Sequence, residues 1–144
     1  MFYSVMVKKA CKIMFDAHKD DLDKGGYPYV FHPFYLATQM DDENSTVVAL
    51  LHDVIEDHAD KYSFEYLKNE GFSVEVTEAL KLLTHNESVP YMEYIKAISQ
   101  NRIAAKVKLA DLKHNTDIRR TGGEKPKKYD TYLETIKYLT DVSD

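Results

Sequence analysis

The segment STVVALLHDVIED, residues 45–57, constrains this chain more than any other. Its apolar residues Val47, Val48, Leu50, Leu51, Val54 and Ile55 recur at helical steps and cover a broader surface than the single stripe of a helix lying on a protein's outside. Such a helix belongs at the centre of a bundle. Asn44 or Ser45 is its expected cap, and Asp57 its expected end. Into this apolar element the sequence sets His52, Asp53, Glu56 and Asp57, spaced so that His52 pairs with Glu56, and Asp53 with Asp57, one turn apart on neighbouring faces. Burying such groups without partners costs several kcal/mol each, so a bound cation is the economical explanation. An exposed polar seam is the ordinary alternative for a helix that contains a lone His-Asp pair.

Elsewhere the same three- and four-residue period repeats, and no segment alternates as a strand would. Met6, Ala10, Ile13, Met14 and Ala17 predict a first helix from about Tyr3 to His18, followed by the loop DDLDKGGYPY, whose glycines and proline break the period and make it a candidate wall of a site. Pro33 suits the first turn of a second helix, which places His32 at its mouth. Ser63 to Asn69 reads as a short helix stopped by Gly71, Ser73 caps another, Pro90 opens a further one, and Pro126 restarts the last. The stretch RIAAKVKLADLKHNTDIRR is helical by Ile103, Val107 and Ala110. The expectation is an all-α bundle of about eight helices, and the 144 residues, with neither repeat nor linker, make one compact domain spanning 1–144.

A formal net charge of −5 argues against a protein that coats duplex nucleic acid, which needs positive charge to displace counterions. No run of 18 apolar residues predicts a membrane span, and the N-terminal residues lack the apolar region and cleavage site of a secretion signal. The single cysteine, Cys11, cannot form an internal disulfide, which fits a reducing, cytoplasmic setting.

Two further segments strengthen the case for a cation: YVFHP, with His32 at a helix start, and VKLADLKHN, with Asp111 in an apolar-flanked helical register. His32, His52, Asp53 and Asp111 make a mixed nitrogen and oxygen set suited to Mn²⁺, Fe²⁺ or Zn²⁺ and less to Mg²⁺ or Ca²⁺. Four protein ligands on an ion that takes six leave room for water and a substrate oxygen, the arrangement of hydrolytic centres. Of the other histidines, His18, His58 and His85 read as cap, packing or surface groups, while His114 is spaced to flank the site as an outer partner.

The ordered set KGGYPYVFHP, ALLHDVIED and VKLADLKHNTDIRR resembles the HD-domain metal-dependent phosphohydrolases, in particular the hydrolase part of RelA/SpoT homologues and the stand-alone small alarmone hydrolases. The resemblance covers nearly the whole chain and implies an HD-domain fold. It maps His32, His52, Asp53 and Asp111 onto the family's metal ligands, with Mn²⁺ as the implied ion, and Glu56 and Asp57 onto the acidic pair that orients or deprotonates the attacking water. It also matches Lys24 to a lysine before the first histidine and Asn115 to a nucleotide-contacting asparagine. The implied reaction removes the 3′-diphosphate from guanosine 3′,5′-bis(diphosphate), and relatives of this kind occur in several assemblies, an oligomer included. Asp23 departs from the pattern: it stands where these hydrolases carry an arginine beside the lysine, and a carboxylate neither stacks as a guanidinium does nor attracts phosphate. Two alternatives stay open at this point, a hydrolase of another nucleotide mono- or triphosphate and a nucleotide-binding or scaffold module without turnover.

Overall fold

The computed structural model describes residues 1–143. Among them lie nine α-helices: α1 (Val5–His18), α2 (Phe31–Thr38), α3 (Glu43–Leu51), α4 (Val54–Asp57), α5 (Phe64–Asn69), α6 (Val74–Leu83), α7 (Tyr91–Ser99), α8 (Arg102–Asn115) and α9 (Tyr129–Ser143), with a 3₁₀ turn at Ile118–Thr121. The described residues form no strand; an isolated bridge between Leu22 and Pro28 closes the loop before α2. None of their helices is long and apolar enough to cross a membrane.

The breadth of the apolar surface on α3 has the predicted consequence. Every residue from Ser45 to Leu51 is buried, and the helix packs against α1, α2, α6 and α8. Four helices thus enclose one, and the C-terminal end of α3 delivers His52 to the interior. Shortening Leu50, which is 1% exposed, to alanine is expected to cost about 2–5 kcal/mol, read from urea unfolding, because a site enclosed on all sides cannot collapse onto the gap.

Helix starts follow the side chains that accept otherwise unpaired amides. Ser63 and Ser73 cap α5 and α6 as expected, and Asn101 caps α8. Gly71, at φ +93°, turns the chain out of α5 in a conformation that other residues rarely adopt. The cap of α3 is Asp42, earlier than the predicted Asn44 or Ser45: its carboxylate accepts the Ser45 amide at 2.8 Å and the Ser45 hydroxyl at 2.9 Å. Two other expectations also shift. Helical structure after Arg102 ends at Asn115, because Asp117 accepts the Arg119 amide and starts the 3₁₀ turn. The last helix starts at Tyr129 rather than at Pro126, whose carbonyl instead closes a turn with the Tyr129 amide.

The largest correction concerns the element from Ser45 to Asp57, which is two helices and not one. His52 Nδ1 donates to the carbonyl of Ala49 at 2.7 Å, the acceptor that a continuous helix would give to the Asp53 amide. Asp53 leaves helical geometry, at φ −110° and ψ 0°, and α4 restarts after it. His52 and Asp53 are therefore adjacent groups at a corner, and the two pairs on one continuous helix do not form.

Candidate metal centre

Four segments build the centre. The corner between α3 and α4 supplies His52 and Asp53, the first turn of α2 supplies His32, and the third turn of α8 supplies Asp111. The donor atoms of His32, His52 and Asp53 lie within 4.8 Å of one another, and Asp111 Oδ1 is 2.9 Å from His32 Nε2 and 3.7 Å from His52 Nε2. The loop before α2 contributes Tyr29, whose hydroxyl donates to Asp53 Oδ2.

His52 carries the most informative atom. Since Nδ1 donates to Ala49, Nε2 is the nitrogen that faces the carboxylates; it lies 3.0 Å from Asp53 Oδ2, yet it is buried without a hydrogen-bond partner. An imidazole lone pair aimed at two carboxylates is repulsive unless a proton or a metal cation sits between them. Burial opposes a charge on this ring, but the Asp53 and Asp111 carboxylates outweigh it and push its pKa well above the ordinary imidazole range. This donor set, two imidazoles and two carboxylates around an orphaned nitrogen, fits a divalent metal ion.

The surrounding charges are arranged around Asp111. Burial would raise its pKa, but the Lys108 ammonium, 3.1 Å away, and the two imidazoles hold it well below the carboxylate range. Burial likewise opposes a charge on Lys108, and Asp111 reverses the effect. Asn115 donates to Asp111 Oδ1 at 3.0 Å. Asp53, which burial would push up, is held at about 2, chiefly by His52. On the outer side of His32, Nδ1 lies 2.7 Å from His114 Nδ1, and burial with the nearby His32 and Arg120 lowers the His114 pKa to about 4. His114 is therefore neutral at pH 7, and when His32 turns its Nε2 lone pair inward, its Nδ1–H has His114 as acceptor.

Glu56 and Asp57 are exposed on α4 at the edge of the centre. Glu56 Oε1 accepts the His85 amide at 2.9 Å, which ties it to the loop after α6. Although Asp57 reaches solvent, the protein packed around its carboxyl displaces enough water, with the charges of Asp53 and Glu56, to raise its pKa to about 6. A carboxyl titration followed by NMR is expected to place Asp57 near that value in the metal-free chain, and to find it lower after metal loading, because a nearby cation favours the carboxylate.

A cleft of about 290 Å³ opens beside His32 and Tyr29, with Lys24, Gly25, Asn115 and Arg120 on its walls. Gly25 is there for want of space: a Cβ at this position would stand 2.5 Å from the Arg120 carbonyl oxygen. A second cavity, of about 550 Å³, is lined by Glu56, Lys108 and Lys128 and shares Tyr132 with the first. Lys24 is thus at the cleft, as expected for a substrate contact. Asn115 is at the cleft too, but its amide already bonds Asp111 and accepts Arg120 Nη1 at 3.3 Å.

Tyr29 and Lys108 have no distinguishing signal in the sequence, since only the fold brings them to Asp53 and Asp111. His18 and His58 are more than packing groups: both hydrogen-bond Asp21 Oδ2, at 3.0 and 2.6 Å, and fasten the loop after α1 to the end of α4. The nearest available hint is that His58 directly follows the HDVIED run and that Asp21 lies one turn beyond His18.

Fold and centre together define an all-α bundle closed around a histidine and aspartate cluster. No family model matches the chain. It is 35% identical over 127 residues to the guanosine-3′,5′-bis(diphosphate) 3′-pyrophosphohydrolase of Haemophilus influenzae, an alignment covering 78% of this chain and 18% of that protein. The chain therefore spans less than a fifth of that relative's length. A solved structure described as a metazoan ortholog of SpoT that hydrolyses ppGpp and plays a role in starvation responses shares the fold, with a TM-score of 0.72 over 99% of this chain and 87% of that one, at 24% identity. The likeness carried by the three motifs is matched by the Haemophilus influenzae relative, and the solved structure bears out the all-α fold.

Proposed function

We propose that residues 1–144 act as one metal-dependent phosphohydrolase domain whose substrate is guanosine 3′,5′-bis(diphosphate), or its pentaphosphate counterpart, cleaved to GDP or GTP and pyrophosphate. One observation carries the reading: His32, His52, Asp53 and Asp111 converge around the unpartnered Nε2 of His52 in a chain similar to an enzyme named for this reaction. These four residues would hold one divalent ion, Mn²⁺ in the first place, with Fe²⁺ and Zn²⁺ the other ions such a set accommodates. A bound ion of this kind polarises a phosphoryl oxygen and makes water nucleophilic at neutral pH.

The chain's own residues supply the rest. Asp57, whose pKa is raised to about 6 in the metal-free chain and lowered again by a nearby cation, is ionised at pH 7 and placed to accept a proton from the attacking water. Glu56, fixed by the His85 amide, keeps a second acceptor on the same side. Lys108 and Asn115 hold Asp111 in place, and Tyr29 and His114 do the same for Asp53 and His32. Lys24 offers an ammonium to the phosphates in the cleft. With one cysteine and this substrate class, the corresponding setting is cytoplasmic.

Asp23, whose carboxylate also lines the cleft, is the specific reason to test other nucleotides. Protein loaded with Mn²⁺ is to be assayed on guanosine 3′,5′-bis(diphosphate), GTP, dGTP and GMP. The expected result is a kcat/KM on the bis(diphosphate) at least about tenfold above any other. A higher value on a mono- or triphosphate would replace the substrate while leaving the centre intact.

A further inference from the structure

Arg120 sits in the 3₁₀ turn after α8, where it lines both the cleft beside His32 and a hollow of about 430 Å³. That hollow is lined by Tyr27, Phe31, Phe34 and Tyr35, four aromatic side chains left exposed on the surface. One end of the guanidinium is already committed. Nη1 donates to the His114 carbonyl at 2.9 Å and to Asn115 Oδ1 at 3.3 Å, and Nη2 lies 3.7 Å from Asp23 Oδ2. Asp23 is itself fixed, because its Oδ1 accepts the amides of Gly25 and Tyr27, each at 2.9 Å.

Two consequences follow from this arrangement. Asp23 offsets the positive charge of Arg120, which makes it a poor phosphate trap, and Nη1, spent on two oxygens of its own chain, is not free to join a clasp on an oxyanion. The partly exposed cation, anchored through Nη1, presents its flat face at a rim shared with aromatic rings. A planar, weakly hydrated cation of this kind is a stacking surface for a nucleobase.

We infer that Arg120, held edge-on by Asp23, Asn115 and the His114 carbonyl, is the platform on which the purine base of a nucleotide stacks, while its phosphates lie toward Lys24 and His32. This rests on the nucleotide reading given above and adds the residue that recognises the base. Asp23 acts as a positioning residue that orients Arg120.

The test separates base from phosphate. Equilibrium binding of GDP and of pyrophosphate, in the presence of Mn²⁺, is measured for the wild-type chain and for Arg120→Ala, Arg120→Lys and Arg120→Gln, with each variant's folding checked by its thermal transition. Loss of a stacking partner is expected to weaken GDP about tenfold or more in the alanine and lysine variants and to leave pyrophosphate within about twofold. Glutamine, flat but uncharged, is expected to keep more GDP affinity than lysine, which is charged but not flat. Equal weakening of both ligands, a lysine variant that outperforms glutamine, or no GDP binding by the wild-type chain would overturn the inference. Turnover of guanosine 3′,5′-bis(diphosphate) by the wild-type chain is followed in parallel. Absence of turnover with Arg120-dependent GDP binding would end the proposed reaction and leave the base platform standing.

Discussion

Asp111→Asn is expected to lose metal and turnover together, with hydrolysis falling by a factor on the order of 10³ or more. The carboxylate is the point where three cationic or metal-facing groups meet: His32 at 2.9 Å, His52 at 3.7 Å and Lys108 at 3.1 Å. An amide removes the charge that the ion requires and leaves the buried Lys108 ammonium without its counter-charge, which costs about 3–5 kcal/mol when one partner of a buried pair is lost. A second substitution separates the two effects. Lys108→Met in the Asp111→Asn background removes the orphaned cation and is expected to recover most of the lost stability in urea unfolding while hydrolysis stays absent. An Asp111→Asn protein that still binds one equivalent of Mn²⁺ would contradict this account of the centre.

Glu56→Gln and Asp57→Asn carry the next largest effect and differ from Asp111→Asn in a way that can be measured. Both are expected to keep the ion, because neither donates to the cluster of His32, His52 and Asp53, and to lower kcat by about 10²–10⁴, the range of a lost general base. Asp57→Asn has a further signature. Its folded-state pKa of about 6 is above the ordinary 3.8, so the folded chain disfavours the ionised carboxylate, and the penalty is complete above pH 6 and vanishes below the ordinary value. Without metal, the amide is therefore expected to be the more stable protein at pH 7 and to match the wild-type chain near pH 3, by thermal unfolding of the metal-free proteins at the two pH values. Metal content of the loaded proteins used for kcat distinguishes lost proton transfer from lost cofactor.

The parts of this fold that could be read from the sequence are those governed by local pattern. The all-round apolar surface of α3 announced a central helix, and Ser63 and Ser73 announced the starts of α5 and α6. The break inside LLHDVIED was hidden because it depends on one side chain, His52, capturing the Ala49 carbonyl, and a periodic pattern continues unperturbed through such a corner. The cap of α3 was misplaced for a different reason: DDENST offers several residues able to cap, and only the packing of α3 chooses Asp42.

The centre divides in the same way. His32, His52, Asp53 and Asp111 stood out because each is a metal-ligating type inside an apolar setting, and the structure brings these four together. Tyr29 is one of 11 tyrosines and Lys108 one of 19 basic residues, and nothing but tertiary contact singles them out. Asp23 looked like a defect in a phosphate-binding loop; in the folded chain it caps that loop and lies beside Arg120, far away along the sequence.

The most direct test of the central claim is the identity of the products. Chain reconstituted with Mn²⁺ is incubated with guanosine 3′,5′-bis(diphosphate), quenched with chelator, and its phosphorus NMR spectrum compared with that of an Asp53→Ala sample. The account predicts pyrophosphate and GDP in equal amounts, dependent on Mn²⁺ and absent from the Asp53→Ala sample. Orthophosphate as the product, or an unchanged substrate in a chain that has bound its ion, would contradict it.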